Sequence, residues 1–414
     1  MGQAVTDDRL RILMLSAFPP ALDARNGGAK ETARLAATLL RHADVRVLFQ
    51  HDEGAAPHDE RLVEQGLIVD EVVRPAPKRL RVGRAAGVVT GWIQGEPKWV
   101  SHLASARFSQ MLRRIDNSWR PTVLHVEHTV MGRFLDVVDP ALPRVLRPFE
   151  PAAASARELA TLTRGAERVS AAIDVRVWQR FERRVVSKVD AVAALTEEDR
   201  AALLALGTGT LVECIPLIGA LPSAAGDADD GRTIVFVANF AHGPNVEAAR
   251  RLARSILPAV RKARPEARLL LVGEGSDHLG LAGSGVVVTG AVDHVEPHLA
   301  SAAVVAIPLR LGGGMRVKLQ EALAAGKAVV ASRRATAGLA LSDGRELVIA
   351  DSDDQLVRHL AELLEDGARR RALGEEARAW ASRAFDPDAV ASAFLDLYAR
   401  VRVERGRRRS LFLG

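Results

Sequence analysis

A short apolar strand, a turn marked by glycine or proline and an amphipathic helix recur in that order along this chain, and the rhythm starts twice. RILMLSAF (11 to 18) leads into a loop holding Pro19, Pro20 and the pair Gly27 and Gly28. The helical pattern KETARLAATLLRH and the strand DVRVLF (44 to 49) follow. Parallel neighbours can be joined only through a crossover, so this opening predicts a parallel sheet covered by helices on both faces. TVLHVEHTVMG (122 to 132), PRVLRPFE (143 to 150) and AVAAL (191 to 195) read as further strands, the last followed by the helix TEEDRAALLAL.

The stretch LPSAAGDADDGR (221 to 232) has no periodicity and is rich in Ala, Gly, Ser and Asp, the composition of a linker. After it the alternation resumes with TIVFVANF, the helix VEAARRLARSILPAVRKA, and the strands ARLLLVGEG, GVVVTGAV and AVVAIPL. ELVIA and the helix QLVRHLAELLED come later. The expected architecture is α/β, with two doubly wound Rossmann-like domains facing across a cleft. An N-terminal domain spans 1–220, a linker 221–232 and a C-terminal domain 233–385. A helix over 386–404 crosses back to the first domain, and 405–414 is a basic, solvated tail. A length of 414 residues suits two such cores.

In open α/β sheets ligands sit at the carboxyl ends of strands. The stretch that most resembles such a site is PLRLGGGMRVKLQEALAAGKAVVAS, residues 308 to 332. Gly312, Gly313 and Gly314 lack side chains and let backbone N–H groups approach a ligand, and a helix beginning near Val317 turns its positive end toward an anion. Arg316 and Lys318 put cations at that same helix start, where an anion must offset them, which points to a bound diphosphate. Glu321, one turn on, has two readings: an ion pair with Lys318, or an acceptor for the two hydroxyls of a ribose.

The order of strand, Pro308, glycine-rich loop, Lys318, Glu321-Ala322-Leu323-Ala324, Gly326 and apolar AVVAS resembles the donor-binding signature of the family 4 (group 1) retaining glycosyltransferase superfamily, which has the GT-B fold. Supporting pieces follow the family's order over most of the chain: Gly27 and Gly28, HVEH before Gly132, a helix with Glu182, IPLIG, FVANFAHGPN, LLLVGEGS and VVVTGAV. The resemblance implies an enzyme that moves a sugar from a nucleotide diphosphate-sugar to an acceptor hydroxyl with retention at the anomeric carbon. The donor binds the C-terminal domain and the acceptor the N-terminal one. It gives ribose binding to Glu321, base reading to the backbone of Gly290, Ala291 and Val292, and diphosphate and sugar contact to Gly27 and Gly28, with Met315 inside the donor loop. A UDP-sugar is the first expectation, with GDP- or dTDP-sugars as alternatives. No other cofactor and no metal is expected.

The chain departs from the family pattern at Gly313, where the usual E-x7-E motif has its first glutamate. The diphosphate-neutralising Arg and Lys of the first C-terminal-domain loop are also missing from FVANFAHGPNVEA. Arg316 and Lys318 are read as their replacements and as catalytic residues, with His242 as a lesser candidate. In HVEH, Glu127 stands where relatives carry a histidine near the transferred sugar. Glu127 and His128 are the catalytic candidates of the first domain, whereas His125, set among strand hydrophobes, reads as structural. Glu150 reads equally as a site residue or as the ion-pair partner of Arg147, and Trp92 and Trp99 as shapers of the acceptor side.

Other classes find less support. The chain has no Walker pattern, no HExxH and no nucleophile elbow. Asp386-Pro387-Asp388 reads as a helix N-cap rather than a metal site. The lone Cys214 excludes an intramolecular disulfide and reads as a small buried hydrophobe. Net charge is +6 and the pI about 9.9, but the arginines are scattered and the chain has one Tyr, so no nucleic-acid partner is expected. The first ten residues, MGQAVTDDRL, hold acids and no apolar core of a signal sequence, so a cytoplasmic location is expected. The tail RVERGRRRSLFLG allows peripheral contact with an anionic inner membrane face. Carbohydrate, lipid-linked and small-molecule acceptors all remain open, in polysaccharide, glycolipid or natural-product biosynthesis. The rival reading is a non-catalytic scaffold or sugar-nucleotide-binding partner subunit of the same fold.

Overall fold

A computed structural model of the chain describes residues 9–24, 26–54, 58–74, 88, 90–161, 163–219, 229–312 and 317–413. Its contacts divide the chain into two compact units. One comprises Met1–Leu22, Gly28–Ile215 and Asp388–Gly414, and the other Asp23–Gly27 and Pro216–Pro387.

The first unit is built on a seven-stranded sheet of β1 (Arg11–Ser16), β2 (Asp44–Asp52), β3 (Ile68–Arg74), β4 (Val123–Glu127), β5 (Arg144–Arg147), β6 (Ala191–Ala194) and β7 (Leu211–Cys214), in the order β3-β2-β1-β4-β5-β6-β7. The second carries six strands, β8 (Thr233–Val237), β9 (Arg268–Val272), β10 (Val286–Val288), β11 (Val304–Ile307), β12 (Val329–Ala331) and β13 (Val348–Ile349), in the order β10-β9-β8-β11-β12-β13. All pairings in both sheets are parallel. The expected two doubly wound α/β halves are therefore present. The strand order reverses between β1 and β4 in one sheet and between β8 and β11 in the other, and at those points the loops diverge and leave a crevice.

Central strands read as continuous apolar runs because both faces are covered: β4 and β11 are buried at every position. Each unit has its own hydrophobic core. The edge strands β3 and β7 of the first sheet had not been assigned from the sequence pattern. Cys214 ends β7, and the alternation of that strand turns it outward, so it is exposed rather than buried.

The stretch read as one helix from Val246 to Ala263 is interrupted. Helices Gly243–Arg251 and Leu257–Ala263 flank a π-helical turn over Leu252–Ile256. Pro258 brings no N–H to the ladder, and a wider turn just before it accommodates that loss. Of the stretch read as a linker, 221–228 lies outside the described residues. Asp229 pairs with Arg370 at 2.6 Å, and Asp230 accepts from the amides of Arg232 and Thr233, both within the second unit.

The helix Pro387–Leu413 packs in the first unit through Phe394 and Tyr398, which are completely buried, and through Arg400 with Glu213 and Arg405 with Asp190. The backbone of the basic end, read as a solvated tail, continues this helix to Leu413.

Candidate functional site

In the second unit, the chain leaves β11 through Pro308 and re-enters regular structure in the helix Val317–Ala324. Gly312 has φ +100°, a conformation that favours glycine. Gly313, Gly314, Met315 and Arg316 lie outside the described residues. The exit from β11 is held from behind by Arg251, which donates to the Pro308 carbonyl and, at 3.0 Å, to Asp353; Arg310 binds the same carboxylate at 2.9 Å.

Lys318 and Glu321 occupy the first turns of the helix, both half-buried. The Lys318 ammonium donates to Asn245 Oδ1 at 2.6 Å and lies 5.5 Å from the centre of the Phe236 ring. Asn245 sits in the first turn of the helix Gly243–Arg251, which follows β8, and its amide donates to the Asn239 carbonyl at 2.7 Å. His242 precedes that helix, and burial of its ring, together with the nearby Lys318 charge, holds its pKa below the ordinary imidazole value. The switch point of this sheet thus joins the loop after β8 to the helix after β11. Asn245 was not singled out in the sequence. The signal was a polar residue in the first helical turn beyond a strand that borders the switch point.

The turn after β10 is braced by the loop after β9. Ser276 Oγ accepts from the Gly290 amide at 2.9 Å, and the Gly290 carbonyl accepts from Thr289 Oγ1 and from the Gly273 amide. Both polar backbone groups of Gly290 are engaged within the fold. Its φ of +68° is a conformation that favours glycine. The exposed Ala291 and half-buried Val292 keep amides that make no hydrogen bond among the described residues.

Gly27 and Gly28 begin the helix Gly27–Leu39, which belongs to the first unit from Gly28 onward. Glu31, in its second turn, receives Arg147 Nη2 at 2.9 Å; Arg147 Nη1 lies 3.5 Å from Glu127 Oε1, and Glu127 also accepts from His125 Nε2 at 2.8 Å. His125 Nδ1 is 2.6 Å from the Tyr398 hydroxyl, so both ring nitrogens are engaged. All five side chains are withdrawn from water. Burial pushes the Glu127 carboxyl up, but Arg147 and His125 outweigh it and hold it below the usual range. Glu127 is therefore the anion of an interior ion network. His125 is structural in this arrangement. Arg147 is taken by Glu31 and Glu127, so the alternative pairing with Glu150 does not form.

His128 follows β4 with φ +76° and caps the 3-10 helix Thr129–Val137 by accepting the Val130 amide on Nδ1. Burial lowers its pKa to about 4, so the ring is neutral at pH 7 and carries its proton on Nε2. Trp92 is fixed by Asp174, which accepts its indole N–H at 2.8 Å. Among the described residues no group of three or more His, Cys, Asp or Glu is placed to hold a metal, and no helix is long and apolar enough to cross a membrane.

Residues 231–366 match the family model described as "Glycosyl transferases group 1". A GDP-mannose-dependent monoacylated alpha-(1-6)-phosphatidylinositol monomannoside mannosyltransferase of Corynebacterium glutamicum is 35% identical over 138 residues, 30% of this chain and 36% of that protein. The chain thus matches about a third of that relative's length.

Among solved structures, a sucrose-phosphate synthase from Thermosynechococcus elongatus superposes with TM-score 0.68 at 15% identity, covering 96% of this chain and all of that one. The Anabaena protein HepE, in complex with UDP and glucose, gives 0.60 at 16% identity, with 94% and 99% covered. WaaG, a glycosyltransferase involved in lipopolysaccharide biosynthesis, gives 0.60 at 16% identity, with 94% and 99% covered. The fold is therefore α/β of the GT-B type, and the group 1 glycosyltransferase signature lies in the second unit.

Proposed function

We propose that the protein is a glycosyltransferase that moves a sugar from a nucleotide diphosphate-sugar to an acceptor hydroxyl with retention of anomeric configuration. The observation that carries this reading is the Lys318 ammonium, anchored by Asn245 at the switch point of the sheet whose residues match the group 1 model. A cation fixed there needs no reorganisation when charge grows on a leaving diphosphate. The UDP complexes of HepE and the GDP-mannose dependence named for the C. glutamicum relative both fit a nucleotide-sugar donor.

In the reaction the anomeric carbon to phosphate-oxygen bond lengthens, with Lys318 and Arg316 stabilising the departing diphosphate. The acceptor oxygen attacks the same face, and its proton passes to the phosphate oxygen that leaves. No protein nucleophile is consumed, and these cations do the work a metal would do. Glu321 holds the ribose hydroxyls, the backbone at Ala291 and Val292 meets the base, and the first unit binds the acceptor.

The test is thermal stabilisation by UDP, GDP, dTDP and their sugar conjugates in wild type, Glu321→Ala and Lys318→Ala. A ligand at a hundred times its Kd adds about 2.7 kcal/mol to stability. One nucleotide should produce such a shift in wild type and lose most of it in both variants. No shift with any nucleotide would overturn the donor site in favour of a non-catalytic scaffold.

A further inference from the structure

Four rings meet in the first unit at the carboxyl ends of β1, β4 and β5, the strands at and beside its switch point. The His128 imidazole lies edge-on to Trp99 at 4.5 Å between centroids, to Phe149 at 5.7 Å and to Phe18 at 6.4 Å. We infer that Trp99 and His128 form a binding subsite for a pyranose ring, the indole packing against the sugar's C–H face while His128 Nε2–H donates to a sugar oxygen. This deepens the proposed function, on which it rests, by assigning the acceptor side a carbohydrate ring.

The first support is where Trp99 stands. It is 39% exposed, and its indole N–H has no partner among the described residues. Its short helix, Lys98–His102, is nevertheless tied down on every side. Asp174 accepts the Lys98 amide at 3.0 Å, Arg133 donates to the Val100 carbonyl at 2.9 Å, Arg74 to the His102 carbonyl at 3.2 Å, and Gln50 to the Leu103 carbonyl at 3.0 Å. A large ring held rigidly at the surface loses little entropy when a ligand covers it.

The second support is the donor beside it. With Nδ1 occupied by the Val130 amide, the neutral His128 ring carries its proton on Nε2, beside the indole of Trp99. The ring stays neutral over the working pH range and acts as a fixed donor. Backbone strain is the third: His128 (φ +76°) and Phe149 (φ +59°) are non-glycine residues in the left-handed half of φ space, at the ends of adjacent strands. Such strain persists where a side chain must be aimed.

The full chain is tested by saturation-transfer NMR with methyl α-D-mannopyranoside and methyl α-D-glucopyranoside as probes, with the nucleotide thermal shift measured on the same samples. At least one probe should receive saturation on its ring protons. Trp99→Ala should weaken its binding about five- to tenfold, Trp99→Phe should restore part of it, and His128→Gln should weaken it with the ring contact retained. Both Trp99 variants should keep the wild-type Tm and nucleotide shift. Equal binding by wild type and Trp99→Ala, or no saturation of either glycoside by a protein that nucleotides stabilise, overturns the subsite. Loss of nucleotide stabilisation in wild type would instead strike the donor-site reading, leaving the glycoside contact to be judged by the Trp99 variants.

Discussion

Arg147 donates to Glu31 across 2.9 Å with both side chains wholly excluded from water, joining the carboxyl end of β5 to the helix that begins at Gly27 and Gly28. The guanidinium also lies beneath the rings of Phe149 and Phe394, at 5.5 and 5.7 Å. Removing the cation takes the buried guanidinium from two buried carboxylates, leaving Glu127 with His125 and Glu31 with Arg34 at 3.4 Å. Arg147→Leu should therefore destabilise the protein by about 3–5 kcal/mol in urea unfolding, well beyond the loss from an ordinary core truncation of its apolar stem.

Glu182 offers a pH-dependent test. It is buried, and its two oxygens accept from the amides of Ala152 and Ala153, capping the helix Ala152–Ala160 from a distance. Burial, with a smaller push from Glu150, raises its pKa to about 7. A carboxyl whose folded pKa lies above its unfolded value stabilises the fold most at low pH, and that stability is lost as pH rises from about 4.5 through 7. Across this window wild type should lose on the order of 3 kcal/mol relative to Glu182→Gln, read from urea midpoints at pH 4.5 and 8.

Asn245 should matter to the diphosphate and not to the nucleoside. Its side-chain oxygen fixes the Lys318 ammonium at 2.6 Å. Asn245→Ala should reduce the affinity for a nucleoside diphosphate about tenfold, some 1.4 kcal/mol. The affinity of the matching nucleoside should stay the same by calorimetry. Equal loss for both ligands would mean that Asn245 only supports the fold.

Gly273 follows β9 with φ +126°, and a Cβ there would stand 2.2 Å from the Ala238 carbonyl oxygen. Gly207 has φ +64° and nothing within 4 Å of the same point. Gly273→Ala should cost more than about 3 kcal/mol, because backbone must move, whereas Gly207→Ala should cost about 1 kcal/mol from conformation alone. Paired urea denaturations compare them directly.

Much of the donor-side region was legible because its signals are local. The strand before Pro308, the glycine run and the helix carrying Lys318 and Glu321 lie within one short stretch, and each is specified by near neighbours. Asn245 escaped notice because its meaning depends on a lysine 73 positions away. The setting of Glu127 escaped notice for a related reason. A carboxylate at a strand end looks functional in sequence, and only the fold brings Arg147 beside it.

The sequence by itself determined the two βα series, the parallel sheets they imply and the strand ends where ligands belong, since periodicity and turn chemistry are short-range properties of the chain. Tertiary structure alone decided the protonation and engagement of the groups at those ends. Tyr398 meets His125 across 273 residues and Arg147 meets Glu31 across 116. Burial together with an oppositely charged partner sets whether a carboxylate or an imidazole is a reactive group or part of the core, and neither is written in the residue's immediate neighbours.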